Sequence, residues 1–295
     1  MMPDAIMSTT APSTRRLTRK ARWSRGLSFR WERLGRLERL SLAAFGLVTV
    51  FLLAVPLLVN HSPTEIVGPS LQGPSAAAPL GTDELGRDLL VRTLYGMRLT
   101  WFIVFPVIAS GLLIGGLVGG IAGFRGGRID TLLMRGTDVA LALPGTLVTL
   151  AIAASLGRGL GNTLIAIMAT FWPPYARIMR GEVKRISSLP HVEAATLGGI
   201  TKRRLVLVHI VPGLSGPMLV QATLDISTVI LILAGLSFLG FGQQPPAPEL
   251  GTMTAAGIPY VLSAWWVPTI PAIGVFILSL IGNFSGDAVA DMVEE

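Results

Sequence analysis

The sequence predicts an all-α integral membrane protein with six transmembrane helices. Half of its 295 residues are hydrophobic (51%), only 14% are charged, and the mean hydropathy is +0.63, whereas a soluble domain carries about 25% charged residues. The apolar residues are gathered into six windows of about 20 residues, which is the length that spans a bilayer core. Lys and Arg are concentrated in alternate connections between these windows, as the positive-inside rule describes.

The candidate spans are windows without charge, except that the fifth contains Asp225. The first is not interpreted as a cleaved signal peptide, because its basic flank and its apolar run are both long and further spans follow. A short turn at 157–162 separates the third span from the fourth, and Trp265–Trp266 suit the membrane interface at the start of the sixth. The predicted spans are 41–59, 99–124, 139–157, 159–176, 214–240 and a sixth within 264–284.

The Lys and Arg counts orient these spans. Residues 1–40 hold ten Lys/Arg against three acids, which accounts for the whole net charge of +7. Three more Lys/Arg lie between the second and third spans, seven between the fourth and fifth, and only four elsewhere. We therefore expect 1–40 to be a basic cytoplasmic tail, 60–98 an external segment and 99–291 a core with five spans, both termini being cytoplasmic. Nucleic acid is the other partner that such a tail could bind, but the span that follows it directly favours the membrane.

Glycines recur at four-residue intervals in the second span, at positions 111, 115, 119 and 123. Small residues at this spacing let two helix backbones approach closely in lipid. The pattern predicts a packing seam, and a functional hinge is the alternative.

The sequence offers no enzymatic motif. It has no cysteine, and its three histidines (His61, His191 and His209) are widely separated, which argues against a metal site. It lacks the G-x-S-x-G, H-E-x-x-H and G-x-x-x-x-G-K-[ST] patterns of nucleophilic, zinc-dependent and nucleotide-binding sites. An ATP-driven role would therefore need an ATPase on another chain.

Asp225 is the one acid predicted inside a span. Such residues are costly in lipid and are functional hypotheses by default. Asp225 either bonds Gln221, one turn earlier, while facing a partner helix or water, or it lines a transport pathway.

Residues 177–213 form the most informative polar segment. We expect the fourth span to continue as a helix to residue 186, residues 187–190 to break it, and a short helix to follow over 191–199, ended by Gly198 and Gly199. A basic amphipathic helix should then cover 201–210, and Pro212 should precede the fifth span. A short helix with small side chains between two spans is typical of a docking element, and an ordinary interfacial loop is the alternative.

These residues carry a resemblance. Glu193-Ala194-Ala195, Gly199 and the stretch His209 to Pro212 resemble the EAA loop, here 182–213, of importer-type ABC transporter permeases. Residues 81–88 before the second span, 236–248 with Gly251 after the fifth, and 284–291 at the end resemble permeases of the dipeptide/oligopeptide/nickel group. The match runs in order over 81–291 and is closest to the C-type subunit of dipeptide permeases.

The resemblance implies the type I ABC importer permease fold. It implies a pore-forming subunit, not itself an enzyme, that imports peptides or a related small solute across a bacterial or archaeal cytoplasmic membrane. The implied partners are a homologous second permease, two ATPase subunits or domains that bind ATP and Mg, an extracytoplasmic solute-binding protein and membrane lipid. No cofactor on this chain and no nucleic acid are implied. A stand-alone secondary transporter or a membrane enzyme is the alternative, and the substrate could be a dipeptide, a longer peptide, a nickel chelate or a haem-like compound.

The candidate site residues fall into three groups, and none is catalytic or metal-binding. The ATPase-coupling group is Glu193, Ala194, Ala195, Gly199 and Pro212. The pathway group is Gln221 and Asp225. The group expected to dock a binding protein is Asp83, Gly86, Arg87, Asp88, Gln244, Pro245 and Pro246.

Overall fold

A computed structural model of the chain describes residues 35–76 and 78–293. Most of the predicted basic tail, residues 1–34, lies outside the described residues. The described part is helical, with two isolated β-bridges and no strand, which confirms the predicted fold class. Its α-helices are α1 (Arg36–Leu58), α2 (Leu89–Arg125), α3 (Gly127–Ala142), α4 (Gly145–Leu156), α5 (Leu160–Ser187), α6 (Pro190–Leu197), α7 (Lys202–Leu205), α8 (Val211–Phe238), α9 (Leu250–Gly257) and α10 (Trp266–Val293).

Four helices of the described part are long and apolar enough to cross a membrane: α1, α2, the run Lys202–Phe238 and α10. Counting α3 and α4 together gives a fifth span. The fourth predicted span is helical, as part of the 28-residue α5, but it is less apolar than expected, since it includes Asn162 and the prolines Pro173 and Pro174. The four helices that are long and apolar enough overlap the first, second, fifth and sixth predicted spans, so the described residues give four or five candidate spans where six were predicted.

The third predicted span, 139–157, is not one helix, and this prediction was wrong. α3 and α4 are bent by 83° relative to each other. Pro144 explains the break, because a proline excludes the preceding residue from the α-helical region. Leu143 accordingly adopts extended angles, with φ −99° and ψ 147°.

Before the fifth span, the structure has a continuous helix where the sequence predicted a separate one. Pro212 does not stand outside the span but in the first turn of α8, and the helix is continuous from Lys202 to Phe238. A proline in a helix lacks one N–H donor and crowds the carbonyl four residues earlier, here Val208. Val206–Ile210 forms a π-helical turn, and this wider turn accommodates the proline without ending the helix.

The predicted break between α5 and α6 is present, with bounds one residue from those expected at the end of α5 and the start of α6, while α6 ends at Leu197 and not at residue 199. α5 continues past the apolar window to Ser187, and α6 begins at Pro190. Proline suits the first helical position, because its missing N–H would have no partner there.

The glycines of α2 form the predicted packing seam against α5. A Cβ atom added to Gly115 would lie 2.5 Å from both the Trp172 carbonyl oxygen and the Tyr175 Cβ atom. One added to Gly119 would overlap the Ala176 carbonyl oxygen, and one on Gly123 would meet Val183 at 2.9 Å. The two backbones are therefore in direct contact.

The main core lies between α2, α5, α8 and α10, with α1 at its edge. Trp101 of α2, Ile167 of α5, Ile230 of α8 and Leu278 of α10 are fully buried there, together with Leu52 of α1. The indole Nε1 of Trp101 donates to the Thr49 hydroxyl at 3.0 Å, so α1 is tied to α2 by a polar contact as well as by packing.

Candidate functional site

The coupling segment is built on α6, the eight-residue helix between α5 and α7. Glu193 lies in its first turn, where the helix dipole favours a negative charge. Glu193, Ala194, Thr196 and Leu197 are exposed, Leu197 to 85%, while Ala195 is half-buried. A single exposed apolar side chain is ordinary at a protein surface, so the feature that makes α6 a candidate docking element is its exposed position between two long helices.

Gly199 ends this segment with φ +74°, and a Cβ atom there would meet nothing within 4 Å. Gly199 therefore adopts the left-handed conformation that commonly follows a helix end. The open space shows that glycine is needed for its backbone and not for close packing.

Val192 holds α6 to the rest of the protein. It is buried in an apolar cluster with Val183 and Ile186 of α5 and with Leu205 and Ile210 of the following helix. α6 therefore packs against both helices at once.

A carboxylate on α3 binds the basic end of α5. Asp130 accepts hydrogen bonds from Arg180 Nε at 2.5 Å, Arg180 Nη2 at 2.8 Å and Lys184 Nζ at 2.6 Å. Sequence reasoning missed this contact. Its only signal was the four-residue spacing of Arg180 and Lys184, which places both cations on one face of α5.

The two residues of the predicted pathway group meet in the middle of α8. Gln221 Nε2 donates to Asp225 Oδ2 at 3.0 Å, as the four-residue spacing predicts. Both side chains are half-buried.

The predicted docking residues at the start of α2 form a buried ionic cluster. Asp83 Oδ2 lies 2.6 Å from Arg87 Nε and 3.1 Å from Arg92 Nε. Arg92 Nη1 also donates to the carbonyls of Pro63, at 2.9 Å, and Pro246, at 3.2 Å. The cluster therefore ties the segment between α1 and α2 to the loop between α8 and α9.

Burial divides the docking group in two. Asp83, Arg87 and Asp88 are 3–4% exposed, and Gly86 is buried at φ +79°. Gln244, Pro245 and Pro246 are exposed.

The buried residues of the docking group support the loops beneath the exposed residues and are not themselves part of the exposed surface. Asp88 has a second task as the N-cap of α2, accepting from Leu90 N at 2.8 Å. The exposed apolar side chains nearby are Ile66 and Leu85, which sequence reasoning missed because loop residues follow no periodic pattern.

Glu249 begins α9 in the same region. Its carboxylate accepts from Gly251 N at 3.1 Å and Thr252 N at 2.9 Å. Burial raises the pKa of Glu249, although these hydrogen bonds act in the opposite direction.

Fold and site together define a class: a multi-pass membrane subunit that presents a short exposed helix between two membrane helices. The chain belongs to the family of binding-protein-dependent transport system inner membrane components, whose sequence profile matches residues 111–295. It is therefore a membrane component of a transport system and not an enzyme, as the sequence predicted.

Comparison with individual relatives supports this membership. The chain is 41% identical over 205 residues to the di/tripeptide transport system permease protein of Pseudomonas aeruginosa (strain UCBPP-PA14), covering 70% of this chain and 68% of the relative. It is 36% identical over 275 residues to the dipeptide transport system permease protein of Bacillus subtilis (strain 168), covering 91% and 86%. It is also 36% identical over 203 residues to the probable D,D-dipeptide transport system permease protein of Escherichia coli (strain K12), covering 69% and 68%.

A solved structure shares the fold. A chain of the MetNI methionine ABC transporter, in an inward-facing conformation, aligns with a TM-score of 0.56 at 18% identity, covering 70% of this chain and 98% of that chain. The predicted type I ABC importer permease fold is thereby confirmed.

Proposed function

We propose that this chain is one of two different permease subunits of an ATP-driven importer that moves peptides across a bacterial or archaeal cytoplasmic membrane. The names of the relatives, all peptide transport permeases at 36–41% identity, support the peptide substrate. The observation that carries the coupling role is α6, an exposed helix anchored on two membrane helices.

In this proposal α6 docks onto an ATPase subunit. Glu193, Ala194 and Ala195 form the contact surface, Gly199 sets the turn that follows, and Pro212 lies at the start of the helix that receives the motion. The Lys/Arg-rich connections support a cytosolic position for α6 and for both termini. ATP and Mg²⁺ belong to the two ATPase subunits or domains.

Coupling follows from the anchoring of α6. Closure of the ATPases around ATP displaces the two coupling helices of the permease pair. Since Val192 is buried between α5 and the Lys202–Phe238 helix, that displacement tilts two helices that line the bundle. The pathway they enclose then opens toward one side of the membrane or the other, with Gln221 and Asp225 on its wall.

The opposite surface receives an extracytoplasmic solute-binding protein. The exposed Gln244, Pro245 and Pro246 make the contact, while Asp83, Gly86, Arg87 and Asp88 fix the loop conformation beneath it.

Two variants of α6 test the coupling role. Gly199→Val places a β-branched residue at positive φ, which costs about 1–3 kcal/mol, or roughly 5- to 150-fold in docking affinity if the turn is required. Glu193→Lys reverses the charge at the α6 N-terminus. We expect both to insert normally but to lose co-purifying ATPase and the ATP hydrolysis that loaded binding protein stimulates.

Gly181→Ala is the matched control, because Gly181 is exposed and a Cβ atom there meets nothing within 4 Å. Wild-type values in both assays for Gly199→Val and Glu193→Lys would remove α6 from the mechanism. Import driven by an ion gradient without any ATPase would instead establish a secondary transporter, and catalysis by the isolated chain would establish a membrane enzyme.

A further inference from the structure

A polar stripe runs along the middle of α8. Gln221, Asp225 and Thr228 follow one another at helical spacing on one face, where the first two are half-buried and Thr228 is exposed. Ile226, Ile230 and others on the opposite face are buried in the main core. Because an acid is costly against hydrocarbon, this stripe faces water or a polar partner and not lipid.

Asp225 has no cationic partner among the described residues. Every ion pair found there involves another acid, near the start of α2 or near the basic end of α5. The amide of Gln221 supplies one hydrogen bond to Oδ2. A neutral donor leaves most of the carboxylate charge uncompensated, so a cation that bound beside Asp225 would be stabilised by it.

Tyr175 of α5 brings a second polar group to the same place. It is fully buried, and its hydroxyl lies beside the Asp225 carboxylate without completing a well-aligned hydrogen bond. Its ring is seated on the glycines of α2, since a Cβ atom on Gly111 would lie 3.0 Å from it. The hydroxyl is therefore held by packing at the junction of α2, α5 and α8, with hydrogen-bonding capacity to spare.

We propose that Asp225 and Gln221, which lie beside the buried Tyr175, bind the α-ammonium group of a peptide as it passes through the membrane. A primary ammonium carries three N–H donors and one positive charge. The site offers two acceptors that are not fully buried, the free carboxylate oxygen of Asp225 and the amide oxygen of Gln221, together with the missing charge, and the buried Tyr175 hydroxyl borders them. This inference rests on the proposed peptide import and names the substrate group that the pathway recognises.

The test uses the cysteine-free background of this chain. In the assembled, nucleotide-free complex, Thr228→Cys places a thiol one turn from Asp225, and its rate of N-ethylmaleimide labelling is followed on this chain by mass spectrometry. The probes are alanyl-alanine and N-acetyl-alanyl-alanine, which differ at the amine. Ser263→Cys, in the exposed turn before α10, is the control thiol.

We expect alanyl-alanine to slow labelling at position 228 and N-acetyl-alanyl-alanine to leave it unchanged. Adding Asp225→Asn should weaken protection by roughly tenfold or more in alanyl-alanine concentration, since a charge-assisted bond is lost, whereas Asp225→Glu should retain it. Tyr175→Phe should weaken protection less than Asp225→Asn. Labelling at position 263 should not respond to either probe.

Four results would overturn the inference: no labelling at position 228, no protection, equal protection by both probes, or protection that survives Asp225→Asn. An absence of protection would point instead to a Lys or Arg of the second permease as the partner of Asp225. Uptake of radiolabelled alanyl-alanine by the wild-type complex tests the proposed function separately. If uptake fails, both proposals fall, whereas uptake without amine-dependent protection removes only the ammonium site.

Discussion

Replacing Gly115 by alanine should destabilise the protein through a single methyl group. Gly115 faces α5, and the added Cβ atom would lie 2.5 Å from the Trp172 carbonyl oxygen and from the Tyr175 Cβ atom. Ordinary carbon contacts lie at about 3.5–4.0 Å, so α2 and α5 must separate by about 1 Å along their seam. Neither obstacle is the movable end of a flexible side chain.

The magnitude follows from two opposing effects. Overpacking of a close-packed interior costs about 1–3 kcal/mol, and the upper value applies because the obstacle is partly backbone. Alanine favours a helix over glycine by about 1 kcal/mol. The net loss is therefore about 2 kcal/mol, or roughly 4–8 °C in unfolding temperature for a domain of this size.

Gly120 provides the matched control in the same helix. A Cβ atom on Gly120 would meet nothing within 4 Å, so Gly120→Ala should leave the unfolding temperature unchanged or raise it by up to about 4 °C. The measurement is differential scanning fluorimetry of the purified complex in one detergent. Equal unfolding temperatures for the two variants would refute the argument that the α2–α5 seam depends on contact between backbones.

Three further predictions follow from the ionic groups and from the orientation of the chain. Asp130→Asn should lower unfolding stability by about 1–3 kcal/mol, because it weakens bonds to two cations, whereas Asp138→Asn, at an exposed ion pair, should change it by less than about 1 kcal/mol; similar losses would contradict this. Burial raises the pKa of Glu249 above its ordinary 4.5. The wild type should therefore lose stability relative to Glu249→Gln as the pH rises from below 4.5 through the raised pKa. A difference in unfolding temperature that stays constant at all pH values would contradict this prediction. An impermeant thiol reagent should label Ser70→Cys in intact cells and Lys202→Cys only after the membrane is opened, and the reverse pattern would invert the topology.

The sequence predicts much of this fold because membrane helices follow one-dimensional rules. Charge-free length locates the spans, and the four-residue glycine repeat identifies the α2 face that meets α5. The bend between α3 and α4 could also have been predicted, since Pro144 restricts the residue before it. The bend was missed because the residues on both sides of it are apolar, and a hydropathy pattern does not show whether an apolar segment is straight or bent.

Other features depend on the three-dimensional arrangement. Pro212 suggested a helix end, and only the preceding π-helical turn shows how the helix continues through it. The polar residues Asp83 and Arg87 resembled an exposed docking surface, yet they neutralise one another under the loop that carries Pro246. No pattern in one chain distinguishes a polar group that is buried and paired from one that faces a partner.

The two consecutive prolines of α5 have a mechanical consequence. Pro173 and Pro174 lack the N–H groups that would bond the carbonyls of Ala169 and Thr170, so two adjacent rungs of the helical ladder are absent near its midpoint. At 1.5 Å per residue, the 28 residues of α5 span about 42 Å. Its first turn is fixed by a hydrogen bond from the Thr163 hydroxyl to the Phe241 carbonyl, and its last turn leads into α6. The helix thus consists of two rigid segments of about 20 Å that meet at a flexible point. A bend of about 10° at this point moves one end by about 3.5 Å relative to the other, and no backbone hydrogen bond has to break.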